Sequence, residues 1–406
     1  MKKNASLRYF TALAVFLAII MSAYWFSAGE SIERVVNIFL SVLVAGLPIP
    51  LWLSYSLPLA RGAAKAKQRN IELKTPDVLA VLDKIDTLAV SKGGIVTEGK
   101  PYVAGLVPAG LSQGILLGLA ASAEREAKHP FGQAIYQAAI ARQARMQPLS
   151  ASNEIPGCGM EALINRAPVR VGKAEWLLEE GVDISADLLT RADQIAQRGQ
   201  STVFVANGKY CRGIIVLDDK IPEETVHAFQ QLQKQGIQIV MLSGDSRRTA
   251  NAICRQAGID TAHSELTDQG KAREIKLLQT HGNTVAMIGN GLRDEAAMAG
   301  ADLRIQLGPV PAKTDDSVLA IDLPENRSVV LNSNKLSDFI MLTELSHRVM
   351  DIVHQNRIVV ICCWLLLLPP AMGLVKNFGG PFLPPFAALI GQVCAALMIL
   401  LNSLRA

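Results

Sequence analysis

The sequence predicts an α/β protein: a doubly wound parallel sheet in the middle of the chain, an α+β insertion within it, and membrane helices at both ends. Three observations predict it. Four apolar stretches of membrane-crossing length lie in two pairs, one at each end. Between them, short β-rich runs alternate with helical patterns, the signature of βαβ units. Those β-rich runs end in glycine or small polar residues, as strands do when a site lies at their carboxyl edge.

The 406 residues allow two or three domains. Half are hydrophobic, mean hydropathy is +0.25, and 19% are charged, so apolar ends and a water-facing middle fit the totals. A net charge of +4 with 5% aromatics excludes an evident nucleic-acid surface. The six cysteines show no CxxC spacing, which predicts reduced thiols and neither a disulfide framework nor a zinc site.

The spans are expected at 9–27, 35–59, 358–375 and 382–401. A signal peptide is the alternative for the first, but the apolar run is long and a second follows at once. A buried hairpin is the alternative for the last two. Lys2, Lys3 and Arg8 precede the first span, and Arg61, Lys65, Lys67 and Arg69 follow the second. The loop between them, GESIER, carries two acids and one arginine. This asymmetry predicts four spans in a bacterial inner membrane, with both termini and the large middle in the cytoplasm. Membrane lipid is then an obligatory partner. The second span holds Gly46, Pro48, Pro50 and Pro58, so its backbone ladder must be interrupted. It reads equally as an ion path or as a kinked anchor.

In the middle, the runs at 81–91, 213–219, 237–243 and 283–289 are expected as strands of the parallel sheet. Helices are expected at 224–235, 246–258 and 271–282. Residues 105–215 interrupt the alternation and predict an inserted lobe. The division is then 1–60 for two spans, 61–104 with 216–350 for the sheet domain, 105–215 for the insert and 351–406 for two further spans.

The motifs carry a resemblance. SKGGIVTEGKP at 91–101 is similar to the DKTGTLTEGKP phosphorylation motif of heavy-metal-transporting P-type ATPases (copper, zinc or cadmium type), with seven of eleven residues in common. His129-Pro130 resembles the family's HP pair, and IPGCGM at 155–160 its IPGxG loop. SGDSRRTA at 243–250 resembles TGDNRRTA, and GNGLRDE at 289–295 resembles GDGIND. The flanks LRYFTALAV, VHQNR and LNSLR agree too, so the resemblance runs in order along nearly the whole chain. It implies a haloacid-dehalogenase-like phosphorylation domain with a nucleotide-binding domain inserted after its first strand. It also implies that the chain starts just after the actuator domain, whose TGE loop drives dephosphorylation, so an incomplete cycle is expected.

The resemblance also identifies departures. The family nucleophile, an aspartate that attacks the γ-phosphate of ATP, is Ser91 here. A serine is neutral and needs a base. Asp86 aligns with a strand residue at the other end and is no substitute. The first aspartate of GDG, a magnesium ligand, is Asn290. Losing two carboxylates from one site argues against Mg²⁺. Gly93 and Ile95 replace threonines, Arg293 an asparagine and Pro222 an arginine. Lys92, Gly94, Gly244, Asp245, Lys271, Gly289, Gly291 and Asp294 match the family, and Ser243 stands for threonine. They suit an anion, though glycines also hold turns and Asp245 also suits a helix cap. Glu124, His129, Gly157, Gly159 and Gly172 match nucleotide-binding positions and leave room for ATP or ADP. Lys173 replaces an asparagine and Asn153 an acid.

The family's CPC metal motif falls at Leu47-Pro48-Ile49 or Ile49-Pro50-Leu51, without a thiolate. The YN pair falls at Cys363-Trp364, and the last-helix methionine and serines at Gln392, Ala395 and Ala396. Cys362, Cys363 and Cys394 are weak candidates for a soft ion and read equally as small membrane residues. The expected protein is a non-catalytic pseudo-pump that binds nucleotide or docks on a membrane partner, either an intact pump or a second copy. An active heavy-metal transporter, a phosphatase and a relic without function are the alternatives.

Overall fold

A computed structural model describes residues 2–289, 294–308, 327–333 and 335–406. The chain divides into two compact units, Met1–Asp83 with Met341–Ala406, and Lys84–Ile340.

The first unit begins with helices α1 (Lys2–Ser27), α2 (Ile32–Ala45) and α3 (Ile49–Gln68), strand β1 (Ile71–Leu73) and helix α4 (Val78–Leu82). The expected second span is therefore two helices. Pro48 and Pro50 have no N–H to give the carbonyls of Val44 and Gly46, so α2 stops there. The Leu47 N–H turns back to the Val44 carbonyl at 3.3 Å. Pro50 sits in the first turn of α3, where a missing N–H costs little.

The second unit holds two sheets. Strand β2 (Thr87–Ser91) leads into β3 (Tyr102–Pro108), α5 (Gln113–Ala123), α6 (Pro130–Ala141), β4 (Leu149–Ile155), β5 (Gly159–Ile164) and β6 (Ala167–Gly172). Next come α7 (Ala174–Glu179), α8 (Ala186–Ala196), β7 (Ser201–Asn207) and β8 (Tyr210–Asp218). The chain then alternates through α9 (Glu223–Lys234), β9 (Gln238–Leu242), α10 (Arg247–Ala257), β10 (Thr261–His263), α11 (Asp268–Thr280) and β11 (Val285–Gly289). It continues with α12 (Glu295–Gly300), β12 (Leu303–Leu307) and β13 (Ser328–Leu331).

Within this unit parallel strands lie in the order β13–β12–β11–β2–β9–β10. Every residue of β2 is buried, as expected for a strand covered on both faces. Ala89, Val240, Leu242, Ile275, Val285 and Met287 pack on one face. Residues 102–218 form the second sheet, antiparallel in the order β3–β8–β7–β6–β5–β4. Its β7 shows the period of two directly: Val203 and Val205 face the α5–α6 side, and Phe204 and Ala206 the α7–α8 side.

One expected strand changes sheet. The run 213–219 lies in β8, antiparallel to β3 and β7, and not among the parallel strands. The two-residue turn Gly208-Lys209 pairs Asn207 with Tyr210 and sends β8 back along β7. An apolar β-branched run looks the same in either setting.

The chain returns to the first unit through α13 (Leu336–Ala371) and ends with α14 (Pro385–Ser403). The third expected span is the last part of α13, which starts 22 residues before position 358 because no glycine or proline interrupts 336–357. Four helical stretches, Arg8–Ser27, Ile32–Gln68, Leu336–Ala371 and Pro385–Ser403, are long and apolar enough to cross a membrane. This is an integral membrane protein. Polar pairs tie its helices: Asn356 Nδ2 donates to Ser403 Oγ (3.1 Å), and Asn402 Nδ2 to Asn356 Oδ1 (3.0 Å), so VHQNR and LNSLR meet. At the 28–31 and 372–384 loops, Lys376 pairs with Glu30 and stands 4.9 Å from the Trp25 ring and 5.1 Å from that of Phe382. A side chain at Gly373, where φ is +76°, would meet the Phe382 ring at 2.3 Å.

All six cysteines are free thiols. Burial pushes the Cys254 thiol up to about 12, with the Asp260 charge adding to it, and burial raises Cys211 as well. These two are packing residues.

Gln392 of α14 is buried and donates from Nε2 to the Ala45 carbonyl at 2.6 Å, satisfying a group that the helix break frees. Gln392→Leu is expected to destabilise the purified full chain by about 0.5–2 kcal/mol, seen as a lowered thermal midpoint. An unchanged midpoint would mean that this bond contributes nothing.

Candidate functional site

The carboxyl edge of the parallel sheet gathers the motif residues. Ser91 ends β2, in register with Leu242 of β9. It is 3% exposed, and among the described residues its Oγ has no hydrogen-bond partner. The next side chain, Lys92, is mostly buried, with Nζ 2.5 Å from Asp245 Oδ2 and 3.3 Å from Ser201 Oγ. Ser243, buried at the end of β9, holds that aspartate. Its Oγ donates to Asp245 Oδ2 and accepts the Asp245 N–H, both at 3.1 Å. Lys271 of α11 pairs with Asp294 at 2.7 Å, and both are nearly buried. Asn290, Gly291 and Arg293 lie outside the described residues.

The charges at this edge therefore come as two internal pairs, Lys92–Asp245 and Lys271–Asp294. Asp245 and Asp294 are each paired with a lysine, and Ser91 offers a hydroxyl where a carboxylate would bind a cation.

The loop after Ser91 is tied to the exit of β8. Asp219 Oδ2 accepts from Thr97 Oγ1 (2.6 Å) and the Gly99 N–H (3.1 Å), and its Oδ1 from the Lys100 N–H (3.1 Å). The Glu98 N–H reaches the Lys220 carbonyl at 2.9 Å. Gly94, at φ +79°, lets the loop fold tightly; a side chain on Gly99 would sit 2.9 Å from the Gly94 nitrogen. Ile95, a threonine in the family pattern, is buried here.

The expected nucleotide residues form two groups. His129 caps α6, its Nδ1 accepting the Gly132 N–H at 2.9 Å, so the proton sits on Nε2. That Nε2 stands 3.2 Å from Glu124 Oε2, within ion-pair distance but out of line for a hydrogen bond. Glu124 is 2% exposed. Gly159 and Gly172 are register partners across β5 and β6. A side chain on Gly159 would come within 2.2 Å of the Val171 carbonyl, and one on Gly172 within 2.4 Å of that of Cys158. Gly157, at φ +79°, turns the loop before them and has open space beside it. Close packing thus accounts for two of the three glycines.

The comparisons with known proteins agree with this geometry. Residues 79–302 match the family model of haloacid dehalogenase-like hydrolases. A probable copper-exporting P-type ATPase of Archaeoglobus fulgidus is 30% identical, over 98% of this chain and 48% of its own length. Copper-transporting ATPase 1 of Rhizobium meliloti is 29% identical, over 98% of this chain and 47% of its own. The crystal structure of a zinc-transporting PIB-type ATPase in its E2·Pi state superposes with a TM-score of 0.67 at 26% identity, covering 98% of this chain and 62% of that one. This chain belongs to the heavy-metal P-type ATPase family. It spans about half the length of the curated relatives it matches.

In this P-type ATPase chain Cys363 lies near Cys394. Cys362 and Cys394 are exposed, and Cys363 Sγ lies 3.9 Å from the Gly391 carbonyl. Among the described residues no metal-binding group includes them. Gln392 reaches Ala45, beside the expected CPC position. Sequence reasoning missed Ser201, Gln200, Gly132 and the role of Asp219. TEGKP followed far downstream by the acid pair Asp218-Asp219 was the available signal for that knot, and HPFG for Gly132. Nothing marked Ser201.

Asp219→Ala removes the acceptor of three hydrogen bonds that close one loop. A loss of about 2–4 kcal/mol is expected, read as a shifted denaturant midpoint of the full chain. A shift below about 0.5 kcal/mol would show that the knot is dispensable.

Proposed function

We propose that this chain is a non-catalytic member of its family, a pseudo-pump that binds ATP or ADP without forming a phosphoenzyme. One observation carries the reading: the residue at the end of β2 is a buried serine, and among the described residues no acceptor lies within hydrogen-bond reach of its Oγ. A serine nucleophile needs a base to take its proton. Asp245, the nearest carboxylate in sequence to the β9 end, is already held by Lys92 and Ser243. Lys92 and Lys271 stand at this edge in ion pairs that a phosphate oxyanion would have to share, and their presence supports nucleotide binding that does not need Mg²⁺. Association with a membrane partner, an intact pump or a second copy, is the output we assign to it. The competing reading, an ATP-driven heavy-metal transporter, is supported by what the relatives are called.

The test is incubation of the full chain in nanodiscs with γ-labelled ATP, with and without Mg²⁺, followed by acid quench. No labelled protein is expected. A hydroxylamine-labile phosphoprotein would sink the pseudo-pump reading. Isothermal titration with ATP and ADP in the same samples is expected to give binding that is insensitive to Mg²⁺.

We further propose that the termini and the large unit face the cytoplasm of a bacterial inner membrane. Arg61, Lys65 and Lys67 lie in the last part of α3 and Arg69 follows it, while the 28–31 loop carries Glu30. Trypsin added outside spheroplasts is expected to leave residues 84–340 intact. Rapid cleavage there would reverse the orientation.

A further inference from the structure

Helix α3 ends in a run of cations, ARGAAKAKQR at 60–69. Arg61, Lys65, Lys67 and the C-cap Arg69 are all exposed, and among the described residues none of them forms an ion pair. No acid lies between them. Of the acids that follow, Asp77 accepts from the Tyr55 hydroxyl at 3.3 Å, and Asp83 Oδ1 stands 2.8 Å from His347 Nδ1. The opposite side of the helix is fixed by packing. Ala66 is fully buried, and a side chain on Gly62 would meet Val349 of α13 at 2.7 Å and Leu79 of α4 at 2.8 Å. The cations are therefore held outward on a helix that packing keeps from rotating.

The ordinary role of such cations leaves part of this charge unexplained. In the last turn of a helix they meet the negative end of its dipole, but that effect fades within a turn and does not reach Arg61. Arg61, Lys65 and Arg69 are also spaced i, i+4 and i+8. Like charges then stand one above another, which costs helix stability unless an anion lies between them. The residues separating them are glycine, alanine and one glutamine. A protein partner is recognised through aromatic or large anchoring side chains, and this run has none beside its arginines. Long cationic stems among small residues do have room to spread toward headgroups. Arg61 follows directly on the apolar run of α3. A rise of about 1.5 Å per residue puts Lys65 about 6 Å and Arg69 about 12 Å further out. These positions cover the headgroup phosphates and about the first Debye length beyond them.

We propose that the end of α3 is a docking surface for anionic phospholipid, with Arg61 and Lys65 holding headgroup phosphates and Lys67 and Arg69 adding to the attraction. The surface acts on whichever leaflet α3 leaves through, so it does not depend on the orientation proposed above. Acidic headgroups between the stacked cations relieve their repulsion and steady the helix where it leaves the membrane.

The test uses the full chain in phosphatidylcholine nanodiscs that carry a small fraction of spin-labelled phosphatidylglycerol or spin-labelled phosphatidylcholine. The immobilised share of each label gives the lipid preference. The wild type is expected to favour phosphatidylglycerol. Arg61→Gln with Lys65→Gln is expected to lose about five- to twenty-five-fold of that preference, since each cation near the surface is worth about five-fold. The charge-keeping pair Arg61→Lys with Lys65→Arg is expected to retain it, as is Arg34→Gln at the start of α2. Raising the salt to about 1 M is expected to remove the wild-type preference, because the Debye length falls to about 3 Å. No preference in the wild type, or one that survives the glutamine pair, overturns the proposal. Competition by free inorganic phosphate at the same concentration as the labelled lipid would show a general phosphate site and overturns the lipid assignment.

Discussion

A mostly buried ammonium requires a counter-charge, and much of the site follows from how Lys92 finds one. In the family pattern a carboxylate precedes this lysine, and Ser91 removes it. Lys92 reaches across to Asp245, and Ser243 steadies that aspartate from both sides. The same ammonium touches Ser201 of the inserted lobe. Lys92 thus joins the end of β2, the end of β9 and the start of β7 through one ammonium.

The position of Lys92 depends in turn on β2. A strand buried along its whole length between β11 and β9 leaves its last residue little freedom. The glycines after it fold the chain back at once, and the Asp219 knot returns the far end of the inserted lobe to the same place. Ser91 is thus presented where a nucleophile would be. Its unpartnered hydroxyl is a chemical difference within a retained frame, and not the result of a distorted backbone.

Much of this was legible in the sequence because the determinants are local. Of the expected 81–91 strand only Thr87–Ser91 is one, because Val78–Leu82 is a helix; that strand, the polar residues at strand ends and the four apolar stretches depend on periodicity and length, which a sequence displays. Three features were not legible. The run 213–219 is as apolar as a parallel core strand, and only its turn at Gly208 assigns it to the antiparallel sheet. Helix α13 extends 22 residues before the expected span because hydropathy marks where lipid begins and not where the helix does. The partners of Lys92 are 109 and 153 residues away, and no motif spacing encodes such pairs.

The same logic applies in the membrane unit. Proline breaks the helix at 46–48, and the break exposes carbonyls that lipid cannot satisfy. In a transport path such carbonyls would face a cation. Here an amide N–H of Gln392 takes the Ala45 carbonyl. In both units a position where the family pattern calls for charge or metal is instead satisfied by the chain's own hydrogen-bond donors: a lysine for Asp245, a glutamine for Ala45. Each of these bonds closes a polar group within the chain itself, so both places are held by protein contacts alone.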